Sequence, residues 1–440
     1  MIKNTLLRLY YVVIPILVIG VSLGYTTFVV ALLALIPLLF LTNRHTVALF
    51  FVMYGGVVAG IIRAIYPFIP LYGLFLEVVG LFLMWDLIED LFKHNLRAVD
   101  GIVAVLLFFG LFYLIGPESA FAKQKYNVMW THGLFMLAGY YAFERSSKID
   151  VEGLTRILLV SSMCLFAYVV HSAGMGSASL FDYDWFRQQS VMFYQMTKDT
   201  GEGMLVDYQQ TGMFLLFALA IFLSQVKLKT GSAIFYSTCC MQLVLVSGCR
   251  QAILGVVLVI ALRFVVFRSD YFNRNKISNF ILSTTGLVVA FFVIVFFFEN
   301  VQSTVISSTI KEGDQGRVML YMQSLAIFHD SPMLGRGLGG FNAITGDPWP
   351  HNFFLELLCE TGVIGTFIAL LFLIIPFIWQ NQGLLHITTS NQFYFLILMA
   401  IFVRVMFSGD LRISIELFSA VFAISAVRVS DRLQKTIKKY

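Results

Sequence analysis

Charge is scarce in this sequence. Lys, Arg, Asp and Glu make up only 12% of its 440 residues, against about 25% in ordinary soluble domains, which excludes a conventional water-soluble globule. Cysteine is scarce too. Cys164, Cys239, Cys240, Cys249 and Cys359 all lie in or beside apolar runs without ligand-like spacing, so neither a disulfide framework nor a metal site is expected. The N-terminus lacks a cleavage signature, and its first apolar run is expected to be a retained helix. No internal repeat and no soluble domain is apparent. The net charge of +5 is spread by topology and gives no reason to expect nucleic acid as a partner.

Apolar residues fill the space that charge leaves. Hydrophobic residues are 59% of the chain and the mean hydropathy is +0.83. Repeated apolar runs separated by charged clusters read as transmembrane helices. The expected fold class is an all-α polytopic membrane protein, a single integral-membrane domain over 1–440. About 14 spans are expected, at 10–24, 27–42, 46–64, 72–88, 101–116, 128–143, 156–172, 208–225, 232–247, 251–267, 277–298, 352–379, 391–407 and 413–428. With both termini cytoplasmic, roughly two-thirds of the 30 Lys and Arg fall on the cytoplasmic side, the sign that the positive-inside rule requires. Two long external loops result, at 173–207 and 299–350. Both carry aromatics and neither is of low complexity, so both are expected to fold. Spacing predicts a short interfacial helix near 317–329.

Polar residues inside the spans gather on the external side. Glu77, His132, Glu356, Glu360, Arg404 and Glu416 all occupy the outer third of their expected helices. Asn352, Glu356 and Glu360 stand at i, i+4 and i+8 and form one polar stripe. Intramembrane charge is costly and marks functional sites by default, although helix-end snorkelling or a structural ion pair explains any single case as well. The richest stretch runs from Arg317 through Ser331-Pro332-Met-Leu-Gly335-Arg336-Gly337-Leu-Gly339-Gly340-Phe341 to Trp349, His351 and Asn352, and then Glu360-Thr-Gly362-Val-Ile-Gly365. Arginine suits phosphate and histidine suits proton transfer, which suggests chemistry on a phosphorylated, lipid-linked substrate. The glycines Gly335, Gly337, Gly339 and Gly340 read as a turn whose amides approach an anion. A dinucleotide reading of them is weak, because no strand precedes them.

That pattern resembles the signature of the O-antigen polymerase/O-antigen ligase superfamily. Ser247-Gly248-Cys249-Arg250 is similar to the family's serine-rich arginine turn, and Arg187 to its first arginine region. Asp207-Tyr208-Gln209-Gln210 departs from the family's Pro-Asn pair at the corresponding place. The resemblance covers roughly 185–365 and implies a GT-C-like glycosyltransferase architecture. It implies a bacterial inner-membrane enzyme with a periplasmic active site. Its donor would be an undecaprenyl-pyrophosphate-linked oligosaccharide, with no cofactor and no metal. On this resemblance Arg250 and Arg317 are the first candidates to clamp the pyrophosphate and Arg187 and Arg336 the second. Asn352, Glu360, Gln210 and Trp349 orient substrate. Glu360 is expected to pair with Arg404 or Arg250.

His351 is expected to be the catalytic base. His45, His94 and His386 fall on the cytoplasmic side, His132 and His171 lack motif context, and His329 lies on the apolar segment. Both long loops are net acidic: Arg187 and Lys198 face five acids in 173–207, and Lys311, Arg317 and Arg336 face five in 299–350. A lipid A core acceptor is heavily phosphorylated and would favour basic loops, so the acidic balance favours a polymerase that extends lipid-linked repeat units. The alternatives are a ligase that transfers the chain to lipid A core and, from another class, a lipid-linked oligosaccharide flippase. Transporters place polar residues near the midplane and often show repeats, neither of which is seen. Expected partners are membrane lipid, a chain-length regulator and a flippase.

Overall fold

The computed structural model describes residues 2–23, 27–65, 72–145, 148–172, 208–224, 229–247, 249–261, 263, 315–381, 389–407 and 410–437. Every regular element among them is helical. The elements are α1 (Ile2–Leu23), α2 (Phe28–Leu41), α3 (Arg44–Ile65), α4 (Tyr72–Leu83), α5 (Trp85–His94), α6 (Leu96–Ile115), α7 (Ala120–Arg145), α8 (Val151–Ser172), α9 (Tyr208–Leu223), α10 (Thr230–Ser247), α11 (Arg250–Ala261), α12 (Gln315–Asp330), α13 (Gly340–Thr345), α14 (Phe353–Asn381), α15 (Thr389–Phe407) and α16 (Leu411–Ile437). Each expected span overlaps one of these helices except 277–298, which lies outside the described residues, as does the loop 173–207. Five of the helices (α1, α6, α8, α10 and α14) contain stretches long and apolar enough to cross a membrane, and shorter apolar stretches occur in α2, α9, α11 and α15. The expected span 72–88 divides into α4 and α5 at Met84.

The chain packs as two compact units. The first comprises residues 1–80, 148–313 and 387–400. At its centre α8 packs against α1, α2, α3 and α9, while α9 also packs against α10 and α11. Ser161, Ser162, Cys164 and Ala167 on α8 are all buried. Such small side chains let helices pack closely where lipid supplies no hydrophobic drive between them.

The second unit comprises residues 81–147, 314–386 and 401–440. Its main pair is α7 with α16, to which α6 and α14 add. Gly133 makes the α7–α16 approach possible: a Cβ there would press on Ile415 at 3.1 Å, and Ser419 Oγ donates to the Gly133 carbonyl at 2.8 Å. Helix α12 rests on α14 through Ile327, Phe341 and Cys359. It covers the segment whose spacing reads as helical.

Candidate functional site

The long helix α14 is broken at Gly362, which sits at φ 65° and ψ −170°. A break inside an apolar helix frees carbonyls and amides, and each one left unsatisfied in hydrocarbon costs several kcal/mol. Here the segment 332–337 takes them up. The amides of Arg336 and Gly337 donate to the carbonyls of Cys359 and Glu360, each at 2.9 Å. In return the amides of Val363 and Ile364, which an unbroken helix would bond to those carbonyls, donate to Pro332 and Met333 at 2.8 and 3.2 Å. This exchange explains the two glycine motifs together. A Cβ on Gly335 would enter the Glu360–Thr361 backbone, and one on Gly362 would enter Met333. Gly337 lies against Gly116, and Leu338 donates to the Phe112 carbonyl at 2.9 Å.

The glycine turn is therefore not an open anion cradle. The amides of Gly335, Arg336, Gly337, Leu338 and Gly340 are all spent on protein carbonyls. The carboxylate of Glu360 lies near the amides of Gly339 and Phe341, and its Oε1 makes no hydrogen bond among the described residues.

Beneath the turn lies a fully buried ion cluster. Lys125 Nζ bonds both carboxylates of the polar stripe, Glu356 through Oε1 and Glu360 Oε2 at 2.7 Å, with all three side chains wholly shielded. Glu356 Oε2 accepts the Leu411 amide at 2.9 Å and so ties α14 to the start of α16. The expected partners of Glu360 were Arg404 or Arg250. Instead Arg404 bonds Glu416 at 2.8 Å, and Tyr140 completes that pair at 2.7 Å. Lys125 was missed because it stands among Ala-Phe-Ala-Lys-Gln-Lys, just before the expected span 128–143. The signal that could have found it is electrostatic: two carboxylates one turn apart on an apolar helix need a cation.

His351 sits where the loop meets α14 and is half-buried. Its φ of 56° is the one positive value of a non-glycine residue among those described. Such strain persists where surrounding contacts over-determine it, and it concentrates at functional sites. Asn352 caps α14, its Oδ1 accepting the Leu355 amide at 3.1 Å while its Nδ2 reaches the Met406 carbonyl at 3.3 Å. Both hydrogen bonds fix the residue that follows the histidine. Trp349 Nε1 donates to His351 Nδ1 at 3.1 Å. The guanidinium of Arg412 lies 4.8 Å from the Trp349 ring centre and is ion-paired with Asp410. Asp410 is buried and caps α16 through the Ile413 amide at 3.0 Å. With Nδ1 accepting, the neutral imidazole carries its proton on Nε2. A proton-accepting role for His351 asks for the lone pair that Trp349 occupies.

The structure brings Trp349, His351, Asn352, Glu360, Arg317 and Arg336 into the second unit. Arg317 occupies the first turns of α12, half-buried, and Arg336 is half-exposed with Asp330 at 3.7 Å. Arg250 opens α11 and Gln210 lies in α9, both in the first unit; their side chains, like Arg187 as a whole, lie outside the described residues. His132, on α7, has a buried Nε2 with no hydrogen-bond partner among the described residues, and Glu416 and Arg404 lie near it.

Comparison with known families gives the decisive observation, because the motif region matches a family model described as O-antigen ligase. The match covers residues 212–370. The match spans about a third of the chain. It contains the broken helix, the glycine turn and His351, together with Arg250, Arg317, Arg336, Trp349, Asn352 and Glu360. Lys125 and Arg412 lie outside the matched residues yet contribute to the polar clusters around Glu360 and Trp349. The superfamily comprises glycosyltransferase-like polymerases and ligases. No curated protein matches the sequence.

Proposed function

We propose that the protein is an O-antigen polymerase of the bacterial inner membrane, working at the periplasmic face, with some fourteen spans and both termini in the cytoplasm. The donor is the growing chain on undecaprenyl pyrophosphate, and the acceptor is a sugar hydroxyl of the next lipid-linked repeat unit. The hydroxyl attacks the anomeric carbon opposite the departing pyrophosphate and inverts its configuration. Pyrophosphate is already a good leaving group, so the protein's main task is to hold the charge that gathers on it. Arg317 and Arg250 are assigned to that charge, with Arg336 and Arg187 in support, and His351 is the catalytic residue.

The observation that carries this reading is His351, held in a strained backbone by a tryptophan and followed by an asparagine cap. The acidic balance of both long loops supports a carbohydrate acceptor over a phosphorylated one. The family model's own description favours a second reading, transfer of the chain to lipid A core. Purified protein supplied with undecaprenyl-pyrophosphate-linked repeat units separates them. Lengthened lipid-linked chains are expected. Product that forms only when lipid A core is added makes the protein a ligase, and no new glycosidic bond with either acceptor removes both readings in favour of transport.

A further inference from the structure

Arg412 is held more firmly than pairing with one acid requires. On one side the Leu411 amide donates to Glu356 Oε2 at 2.9 Å, and on the other the Ile413 amide donates to Asp410 Oδ1 at 3.0 Å. Its Nε donates to Asp410 Oδ2. The guanidinium lies against two rings, 5.4 Å from the centre of Phe121 and 4.8 Å from that of Trp349. A planar guanidinium fixed in this way keeps its terminal fork in one direction. Among the described residues neither Nη1 nor Nη2 makes a hydrogen bond, and the side chain is 17% exposed. So enclosed an arginine ordinarily satisfies its terminal N–H groups, because a donor left dry is costly. The fork stands beside the candidate site, since Trp349 also donates to His351 at 3.1 Å. Phe121, Trp349, Asp410 and Arg412 all belong to the second unit.

A phosphate and a sugar hydroxyl could each use such a fork, and Asp410 decides between them. Its carboxylate offsets the guanidinium charge at contact distance, which weakens the pull on an anion. The terminal N–H groups remain donors for neutral oxygens. Aromatic rings beside a few fixed polar groups also suit a ligand with apolar C–H faces and hydroxyl edges. We propose that Arg412, flanked by Trp349 and Phe121, binds the acceptor sugar, its terminal nitrogens donating to hydroxyl oxygens of the unit that receives the chain. The inference rests on the polymerase reading and adds to it a binding residue outside the matched residues 212–370. The arginines assigned to pyrophosphate keep that task, and Arg412 selects the carbohydrate.

Binding and turnover test this separately. The purified full-length protein is titrated calorimetrically with two probes, the repeat-unit oligosaccharide cut free of its lipid pyrophosphate and inorganic pyrophosphate. Wild type is expected to bind the oligosaccharide, and Arg412→Lys to weaken it about tenfold, the worth of one hydrogen bond from a charged donor. Lysine keeps a cation for Asp410 and lacks the fork, so folded yield is expected to match wild type. Should that variant fold poorly, Asp410→Asn with Arg412→Gln removes both charges and is expected to weaken the oligosaccharide likewise. Pyrophosphate affinity is expected to be unchanged in either variant. A wild type that does not bind the oligosaccharide, a folded variant that binds it as wild type does, or a parallel fall in pyrophosphate affinity overturns the proposal. In the extension assay at saturating donor, Arg412→Lys is expected to raise the acceptor KM about tenfold, with the loss in KM and not in kcat. A fall in kcat at constant KM refutes the subsite. A wild-type protein that binds the oligosaccharide through Arg412 yet extends nothing sinks the polymerase reading alone and leaves the sugar site standing.

Discussion

The Lys125–Glu356–Glu360 cluster and the Trp349–His351 pair lie on the same unit, and they solve opposite problems. The first is wholly buried, joins three charges and anchors helices α7, α14 and α16 to one another. The second is half-buried and bent into left-handed backbone, and it spends a tryptophan on one imidazole nitrogen. Charge deep in a membrane protein is thus not by itself a sign of chemistry. Among the described residues the wholly shielded charges of Lys125, Glu356 and Glu360 are bound to each other, whereas the residue with the marks of function is a half-buried imidazole before α14. Strain and a dedicated partner distinguish it better than depth does.

That contrast breaks most sharply at Lys125. Lys125→Met leaves two carboxylates buried without a cation, and loss of about 3–5 kcal/mol is expected. Folded yield, read by size-exclusion of a fluorescent fusion in detergent, should collapse together with activity; normal yield would show that the cluster does not hold the helices. Adding Glu356→Gln and Glu360→Gln to Lys125→Met should restore much of the yield, because all three charges are then gone.

Next in size is Gly362→Ala. Backbone at φ 65° and ψ −170° is essentially reserved for glycine and costs another residue about 1–3 kcal/mol, and the added methyl also enters the Met333 backbone. The expected outcome is a protein several degrees less stable in a thermal-shift measurement with chain extension lost, and an unchanged melting profile would count against the sewn break.

Smaller still in stability, though large in turnover, is His351→Asn. Asparagine tolerates positive φ, so relief of strain and loss of the Trp349 bond nearly cancel, within about 1 kcal/mol. Abundance should match wild type while chain extension is lost; a parallel fall in abundance would make His351 structural like the cluster. The slightest effect is expected at the surface pair: Arg336→Lys should alter stability by less than about 1 kcal/mol, since its partner Asp330 is exposed. Arg317→Lys should slow extension more than Arg336→Lys, and equal rates would remove the distinction drawn between the two arginines.

Much of this was legible in the chain. The stripe Asn352, Glu356, Glu360 follows from helical spacing alone and is present as α14 and its cap. Other features were not, for identifiable reasons. Spacing cannot say that Glu360 meets Lys125, because that contact joins residues 235 apart and depends on how α7 packs. The glycines of 335–340 read as an anion turn because small residues permit both close anion approach and close backbone approach; the freed carbonyls of α14, which take the amides of Arg336 and Gly337, decide between the two. Nothing local announced that Trp349 would face His351, since an aromatic two residues away ordinarily points elsewhere.

The break at Gly362 also bears on how the chain is made. A helix with exposed amides and carbonyls at its middle is a poor passenger for lateral release into lipid, so α14 needs its sealant at hand when it leaves the translocon. The segment that supplies it, Pro332 to Gly337, is synthesised some 25 residues earlier, and Phe112, which anchors the neighbouring Leu338, earlier still. The order of these segments lets the polypeptide carry its own plug to the site before the hole arrives. A circularly permuted chain that placed α14 ahead of that segment would keep every native contact available and still face a stalled insertion.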